Sequence, residues 1–120
     1  MTAPSTRDLG SVGEKLATKF LQRKGYKIID RNFRSRLGEI DIIALEDDTL
    51  VFIEVKTRWT KEYGPPEEAV TPRKIRSIVK TGQYYKLLHP EYPEALRIDV
   101  VTVDFFQKKG EMRLIKNITM

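Results

Sequence analysis

Two kinds of alternation between apolar and polar residues run along the chain, and together they predict two helices and five strands. In the first kind, apolar residues recur every three or four positions, as at Leu9, Val12 and Leu16, which is typical of a helix packed on one side. In the second kind, apolar and polar residues alternate, which indicates half-buried strands. The predicted elements are helices over 8–24 and 72–88 and strands over 26–33, 39–45, 49–56, 96–105 and 112–118.

Residues that begin and end helices support these limits. Gly25 follows the first helix, where a left-handed residue commonly ends a helix. Thr71 and Pro72 supply an N-cap and a proline at the first helical position of the second helix. Because this helix is long enough to cross over a sheet, we expect the fourth strand to lie parallel to the third.

The predicted fold is of the α/β (α+β) class. It has a mixed sheet of about five strands, in which the first three form an antiparallel meander with the first strand near an edge, and helices flank the sheet. A chain of 120 residues fits one domain of ordinary size. We expect residues 1–7 to form a flexible N-terminal tail.

The hairpin predicted between the second and third strands carries charges where a buried sheet would carry apolar side chains. If it turns at residues 47–48, residues whose numbers sum to 95 face each other. Asp41 then faces Glu54, and Glu39 faces Lys56, with Cβ atoms about 4.5–5.5 Å apart. The hairpin therefore gathers carboxylates and an ammonium into one patch.

Two carboxylates about 5 Å apart repel each other by about 3 kcal/mol at an effective dielectric constant near 20. A shared proton, neutralisation by Lys56 or a bridging Mg²⁺ or Mn²⁺ ion would each relieve this repulsion. The carbonyl oxygen of Val55 would offer a cation a further ligand. Two acids and a lysine around a hard metal suit phosphodiester hydrolysis. The alternative is an exposed charge network, which apolar residues on the same face, such as Phe52, argue against.

Composition narrows the choice of partners. The chain has 22 Lys and Arg residues against 17 Asp and Glu residues, and the net charge of +5 suits a polyanion such as nucleic acid, although many cytosolic proteins are as basic. The absence of cysteine excludes disulfides and thiolate metal sites and fits the cytoplasm. No apolar run approaches the roughly 20 residues of a membrane span, and no signal peptide is recognisable.

Two further features leave alternatives open. Glu14 lies at the edge of the apolar stripe of the first helix, where it either complements the helix dipole or reaches over the sheet into the acidic patch. Trp59 and Tyr63 lie among cations after the third strand, where their rings either stack on nucleic-acid bases or hold the loop against the core.

Asp41 followed by a hairpin and by Glu54-Val55-Lys56 resembles the D…ExK signature of the PD-(D/E)XK restriction-endonuclease-like superfamily. The predicted order of helix, three strands, helix and strand resembles the common core of that superfamily. The segments Gly38–Asp41 and Phe52–Lys56, with pieces around them, further resemble the YraN-type family of small bacterial proteins, which are similar to archaeal Holliday-junction resolvases.

The resemblance implies a Mg²⁺- or Mn²⁺-dependent nuclease acting on DNA, including branched or otherwise structured DNA. It implies Asp41 and Glu54 as metal ligands, Lys56 as the catalytic lysine and Glu14 as the helical acid that completes or supports the metal shell. Cutting a junction would need two sites and hence a homodimer. Candidate phosphate contacts are the cations near this patch: Arg34, Arg36, Arg58, Lys61, Arg73 and Lys74.

Two departures from the superfamily pattern bear on these expectations. Ile40 stands where the signature has proline, and Leu87 stands four residues after Gln83, so the Gln-x-x-x-Tyr motif of the exonuclease branch is absent. The alternative function is a non-catalytic nucleic-acid-binding or scaffold protein that has kept the fold. Retention of the acids and the lysine of the signature argues against that alternative.

Overall fold

The structure is a computed structural model that describes residues 6–59, 68, 70–106 and 110–118, with the backbone alone for 6–9. Its elements confirm the predicted order and type. The prediction of a flexible tail over 1–7 falls mostly on residues outside the described ones, and the first helix begins two residues earlier than predicted. The elements are α1 (Thr6–Arg23), β1 (Lys27–Ser35), β2 (Gly38–Glu46), β3 (Thr49–Arg58), α2 (Pro72–Leu88), β4 (Ala95–Asp104) and β5 (Glu111–Ile115).

The five strands form one sheet in the order β1-β2-β3-β4-β5. The pair β3–β4 is parallel, from Thr49 opposite Ala95 to Arg58 opposite Asp104, and the other pairs are antiparallel. The helix α2 makes the crossover between the two parallel strands, as predicted. This mixed sheet with β1 at its edge has the arrangement of a restriction-endonuclease-like core.

The two helices cover opposite faces of the sheet because side chains alternate along each strand. On one face, Ala17 and Leu21 of α1 pack on a cluster that includes Ile53. On the other face, Ile78 and Tyr85 of α2 pack on a cluster that includes Phe52 and Ile43. Neither described helix combines the length and the apolar character needed to cross a lipid bilayer.

Local sequence fixes where the helices end and begin. Gly25 has a φ of +94°, and the amide of Tyr26 donates to the carbonyl of Leu21 at 3.0 Å, so the chain turns directly from α1 into β1. The Thr71 side chain accepts a hydrogen bond from the Lys74 amide at 3.2 Å, and Pro72 follows it. This cap sets Lys74 in the first turn of α2.

The hairpin register confirms the predicted pairing over its paired length. Partners run from Glu46 opposite Thr49 to Ile42 opposite Ile53, and each pair of numbers sums to 95. The ladder ends there, one pair before Asp41 and Glu54. Their carboxylates therefore lie where the two strands stop exchanging backbone hydrogen bonds.

The predicted pairing of Glu39 with Lys56 is wrong. At its start β2 pairs with the edge strand β1, and Glu39 faces Arg34, with 3.8 Å between Oε1 and Nε. The β2–β3 ladder does not extend that far. Lys56 is consequently left without this partner, and its side chain is exposed.

Candidate metal and phosphate-binding site

Asp41 and Glu54 form a carboxyl pair at the open end of the hairpin. Asp41 Oδ2 accepts a hydrogen bond from the Val55 amide at 2.8 Å, which takes the place of a backbone partner beyond the end of the ladder. The two carboxyl groups are close enough for each to change the ionisation of the other. The Glu54 side chain is only 13% exposed. The structure therefore brings together the two acids that sequence predicted to be neighbours.

Burial controls the ionisation of this pair. Burial first and the nearby negative charge of Asp41 second raise the pKa of Glu54 to about 8, although the Lys74 ammonium opposes the rise. Burial also raises the pKa of Asp41, although the Val55 amide favours its charged form. In the protein without a bound cation, the pair therefore holds one proton at neutral pH.

Glu14 of α1 lies near enough to Asp41 for their charges to interact, and its reach into the acidic patch stays a prediction. Burial and then the charge of Asp41 raise the pKa of Glu14, while Arg31 and Arg34 of β1 oppose that rise. α1 approaches β3 closely at the preceding residue, because Gly13 lies against the Thr57 side chain. Glu14 is the next residue of the helix that is held this close to β3.

Two lysines line the same cleft as Glu54. Lys74 Nζ lies 3.9 Å from Glu54 Oε2, and the Lys74 side chain is 41% exposed. Lys56, Glu54, Thr71 and Lys74 share a cleft of about 310 Å³. The capped start of α2 therefore faces the acids, and a ligand in the cleft would meet both ammonium groups.

The acids of this site differ from the other buried acids in their partners. Asp99 is fully buried and accepts hydrogen bonds from Arg97, from the Tyr26 hydroxyl at 2.7 Å and from the Asn117 amide at 2.9 Å. At the candidate site, by contrast, Glu54 Oε2 and Glu14 Oε1 are buried without a hydrogen-bond partner among the described residues.

Unsatisfied carboxylate oxygens beside a carboxyl pair fit a hard divalent cation. The described residues nevertheless contain no group of three or more acidic, histidine or cysteine side chains close enough to hold a metal ion. Asp41 and Glu54, with the Val55 carbonyl, are therefore the candidate ligands, and Glu14 lies outside their immediate group. Such a set suits Mg²⁺, which usually takes one or two carboxylates and keeps several waters.

Arg58 is the predicted phosphate contact that the structure contradicts. Its guanidinium donates to both carboxylate oxygens of Asp104, at 2.6 and 2.9 Å, and its side chain is 7% exposed. A bidentate pair buried in this way cannot reach a phosphate without exposing Asp104. Arg58 therefore ties the end of β3 to the end of β4.

The other predicted phosphate contacts divide into three groups. Arg34, Arg36 and Arg73 are exposed, as phosphate contacts must be. Lys74 is half-exposed beside Glu54. Lys61 lies outside the described residues, as does Tyr63, and the half-buried Trp59 ends the segment that precedes them. The two alternatives for Trp59 and Tyr63, base stacking or packing on the core, therefore stay predictions.

Sequence reasoning missed two features that shape the site. One is the contact of Gly13 with Thr57, for which the only signal was a glycine inside a predicted helix. The other is the position of Lys74, which was predicted as a phosphate contact but not as the partner of Glu54. The sequence signal that could have indicated this partnership was the place of Lys74 in the first helical turn after the Thr71 cap.

Comparison with known proteins identifies the relatives of this chain. The model of the uncharacterised protein family UPF0102 matches residues 13–103. A UPF0102 protein of Syntrophomonas wolfei is 44% identical over 111 residues, which cover 92% of this chain and 96% of that protein. A UPF0102 protein of Alkaliphilus oremlandii is 44% identical, and the match covers 92% of this chain and 97% of that protein. A UPF0102 protein of Geobacter metallireducens is 45% identical, and the match covers 93% of this chain and 89% of that protein. The chain belongs to the UPF0102 family, the YraN-type family that its motifs resemble.

Proposed function

We propose that this protein is a Mg²⁺- or Mn²⁺-dependent nuclease that hydrolyses phosphodiester bonds of DNA, including branched or otherwise structured DNA. The observation that carries the proposal is the Asp41–Glu54 carboxyl pair at the open end of the hairpin. Among the described residues, no arginine forms a salt bridge with this pair, whereas the buried acids Asp99 and Asp104 are each paired with an arginine. A buried pair of this kind is costly to a fold unless a cation or a proton compensates it.

Asp41 and Glu54 would hold the cation, with the Val55 carbonyl as a further oxygen ligand. When bound, such a cation supplies a Lewis acid that polarises a phosphate oxygen and acidifies water. The acids of the chain fix its position, because Asp41 is itself held by the Val55 amide at 2.8 Å. Glu14 supports the site with a third carboxylate, whose buried Oε1 can accept a hydrogen bond from water.

The two lysines of the cleft act on the substrate. The Lys56 ammonium either orients the attacking water or stabilises the negative charge that develops on the phosphate, because it lines the cleft beside Glu54. Lys74 offers a second ammonium from the start of α2. Arg34, Arg36 and Arg73 are exposed cations that would contact phosphates further along the DNA, and Lys61 stays a candidate for the same role.

This proposal has one competitor, a nucleic-acid-binding or scaffold protein without catalysis. The competing function is favoured by the absence, among the described residues, of three metal-ligating side chains in one group. It leaves the pairing of Asp41 with Glu54 and the two cleft lysines without a role. In either case the excess of five positive charges suits a DNA partner in the cytoplasm.

A cleavage assay with Mn²⁺ separates the two functions. We expect wild-type protein to cut at least one of branched, single-stranded and duplex DNA, and Glu54→Ala and Lys56→Ala to lose about a hundredfold or more of that rate. Lys19→Ala, a change of an exposed α1 lysine, is the control and should cut normally. If the purified protein cuts none of the three, or if both site variants cut as fast as wild type, the proposal fails.

A further inference from the structure

The exposed face of α2 carries a line of cations. Arg73, Arg76 and Lys80 are exposed and follow one another at spacings of three and four residues, so they lie on one face of the helix. The helix contains five basic residues and no acidic one. Among the described residues, no carboxylate forms a salt bridge with any member of this line, which we call the α2 stripe.

The stability of α2 does not explain this arrangement. The N-terminus of a helix is its positive end, where acidic residues are favourable and cations are not. Arg73, Lys74 and Arg76 nevertheless occupy the first turns of α2, which contain no acid. An anionic ligand would offset this repulsion. At 1.5 Å per residue, the stripe spans about 10 Å from Arg73 to Lys80, which equals about three intervals between successive phosphates of one strand along a DNA axis.

The α2 stripe continues into an aromatic groove. Tyr84 follows Lys80 by four residues on the same face, and its side chain is part of an open groove of about 580 Å³ between α2 and the β1–β2 turn. The Ser77 hydroxyl donates to the Leu37 carbonyl at 3.1 Å and holds the turn against the helix. Phe33, Leu37, Leu88 and Tyr84 give the groove its apolar surface, and Arg34 and Arg36 its charge.

Aromatic and apolar surface beside guanidinium groups is the chemistry that binds a nucleobase and its phosphate. A closed duplex offers phosphates but keeps its bases stacked inside. We propose that this groove binds an unpaired base of a single-stranded DNA segment, stacked on Tyr84, while Arg34 and Arg36 hold flanking phosphates and the α2 stripe carries the adjoining backbone. This inference rests on the proposed function, since it takes DNA as the ligand.

The groove and the stripe flank the acids. Arg34 of the groove lies 3.8 Å from Glu39, two residues before Asp41, and Lys74, one residue from the stripe member Arg73, lies 3.9 Å from Glu54. A strand that follows this surface would therefore pass the candidate metal site. The substrate class is then DNA with an unpaired segment next to the bond that is cut.

A second copy of the chain is the competing occupant, because Leu87 is 79% exposed and Leu88 is half-exposed beside the groove. A symmetric contact that covered the whole exposed face of α2 would set two α2 stripes against each other. Like charges that meet in this way repel, so the cations favour the nucleic acid.

The first experiment measures the affinity of the protein for labelled single-stranded and duplex DNA in EDTA, so that cleavage cannot interfere. Tyr84→Leu should weaken single-strand binding by at least about fivefold and leave duplex binding unchanged, because stacking on one base contributes about 1–3 kcal/mol. Tyr84→Phe keeps the ring and should bind as wild type does. An unchanged affinity of Tyr84→Leu, or an equal decrease for both DNA forms, would overturn the inference.

A matched pair of variants tests the stripe. Arg76→Gln/Lys80→Gln and Lys15→Gln/Lys19→Gln remove the same charge from exposed positions of different helices. The α2 variant should lower the slope of affinity against salt by about 0.7 for each phosphate that the protein no longer neutralises, while the α1 variant should keep the wild-type slope. Equal slopes for the two variants would contradict a dedicated role of α2 in binding the backbone.

Light scattering tests the competing occupant. Leu87→Ala changes the exposed apolar face but not the groove, so it should leave both molecular mass and DNA affinity unchanged. If it instead converts a dimer to a monomer and also abolishes the Tyr84 effect, the face is a protein interface and the inference is wrong. Because all these measurements are made without metal, a protein that binds as described but cuts nothing refutes the proposed function alone.

Discussion

Gly13 of α1 lies so close to Thr57 of β3 that a Cβ at residue 13 would overlap Thr57 Oγ1, while the Thr57 Cβ and Cγ2 would stand at 3.4 and 3.5 Å. The glycine thus lets the helix rest on the strand next to the signature segment 54–56. Since Glu14 is the next residue, the same close approach sets how far its carboxylate reaches toward Asp41.

The packing of Gly13 on Thr57 predicts a change of sign in a double-mutant cycle. Gly13→Ala in the wild-type background should lower the free energy of unfolding by about 1–3 kcal/mol, because the added methyl group overpacks the helix against β3. In a Thr57→Ala background the same change should be neutral or stabilising, since alanine is favoured over glycine in helices by about 1 kcal/mol. Urea denaturation measures all four proteins of the cycle.

Gly10→Ala is the control for that cycle. A Cβ at residue 10 would meet no described atom within 4 Å, so the change should stabilise α1 whatever residue 57 is. If Gly13→Ala behaves like Gly10→Ala in the wild-type background, α1 does not approach β3 as closely as the structure describes.

The ionisation of Glu54 predicts an unusual pH dependence of stability without metal. The folded protein keeps a proton on Glu54 up to a pKa of about 8, whereas the unfolded chain releases it near the ordinary glutamate pKa of 4.5. Since the native state then binds more protons, stability should fall as pH rises from about 4.5 to 8 and level off above that. Glu54→Gln removes the ionisation and should flatten this dependence.

The measurement is the melting temperature in EDTA across that pH range. The melting temperature of Glu54→Gln should rise relative to wild type as pH rises, and the difference should be largest above pH 8. The corresponding difference in the free energy of unfolding is on the order of a few kcal/mol. Lys80→Gln, a change at an exposed position outside the carboxyl pair, should parallel wild type. Parallel curves for wild type and Glu54→Gln would mean that the carboxyl pair does not share a proton.

The buried pair of Arg58 with Asp104 predicts a structural role for an arginine that sequence suggested for DNA. Arg58→Met should destabilise the protein by about 3–5 kcal/mol, because Asp104 would be left buried without its bidentate partner. Arg58→Met/Asp104→Leu, which removes both charges, should recover much of that stability. Urea denaturation tests both, and a mild effect of the single change would indicate that Arg58 can leave Asp104 at little cost.

The elements and the hairpin register could be predicted because their signals are local. The cap at Thr71 and the left-handed Gly25 mark helix ends within a few residues, and a turn at 47–48 fixes every partner in the β2–β3 ladder. The juxtaposition of Asp41 with Glu54 follows when that register is continued by one pair beyond the end of the ladder.

Contacts between distant elements could not be predicted in the same way. The parallel register sets Arg58 beside Asp104, 46 residues away, and no local pattern fixes that alignment. The pairing of Glu39 with Arg34, and the end of the β2–β3 ladder at Ile42, depend on how far each neighbouring strand stays alongside β2. The reach of Glu14 and Lys74 into the site depends on how closely two helices pack on opposite faces of the sheet.

The central claim is that Asp41 and Glu54 are built to hold a divalent cation, and Mn²⁺ titration followed by thermal unfolding tests it most directly. A cation bound selectively to the folded protein stabilises it by about 2.7 kcal/mol at a concentration a hundredfold above its Kd, so millimolar Mn²⁺ should raise the wild-type melting temperature by several degrees. Asp41→Asn and Glu54→Gln should lose that rise, and Lys80→Gln should keep it. No rise for wild type, or an equal rise for the two acid variants, would contradict the claim.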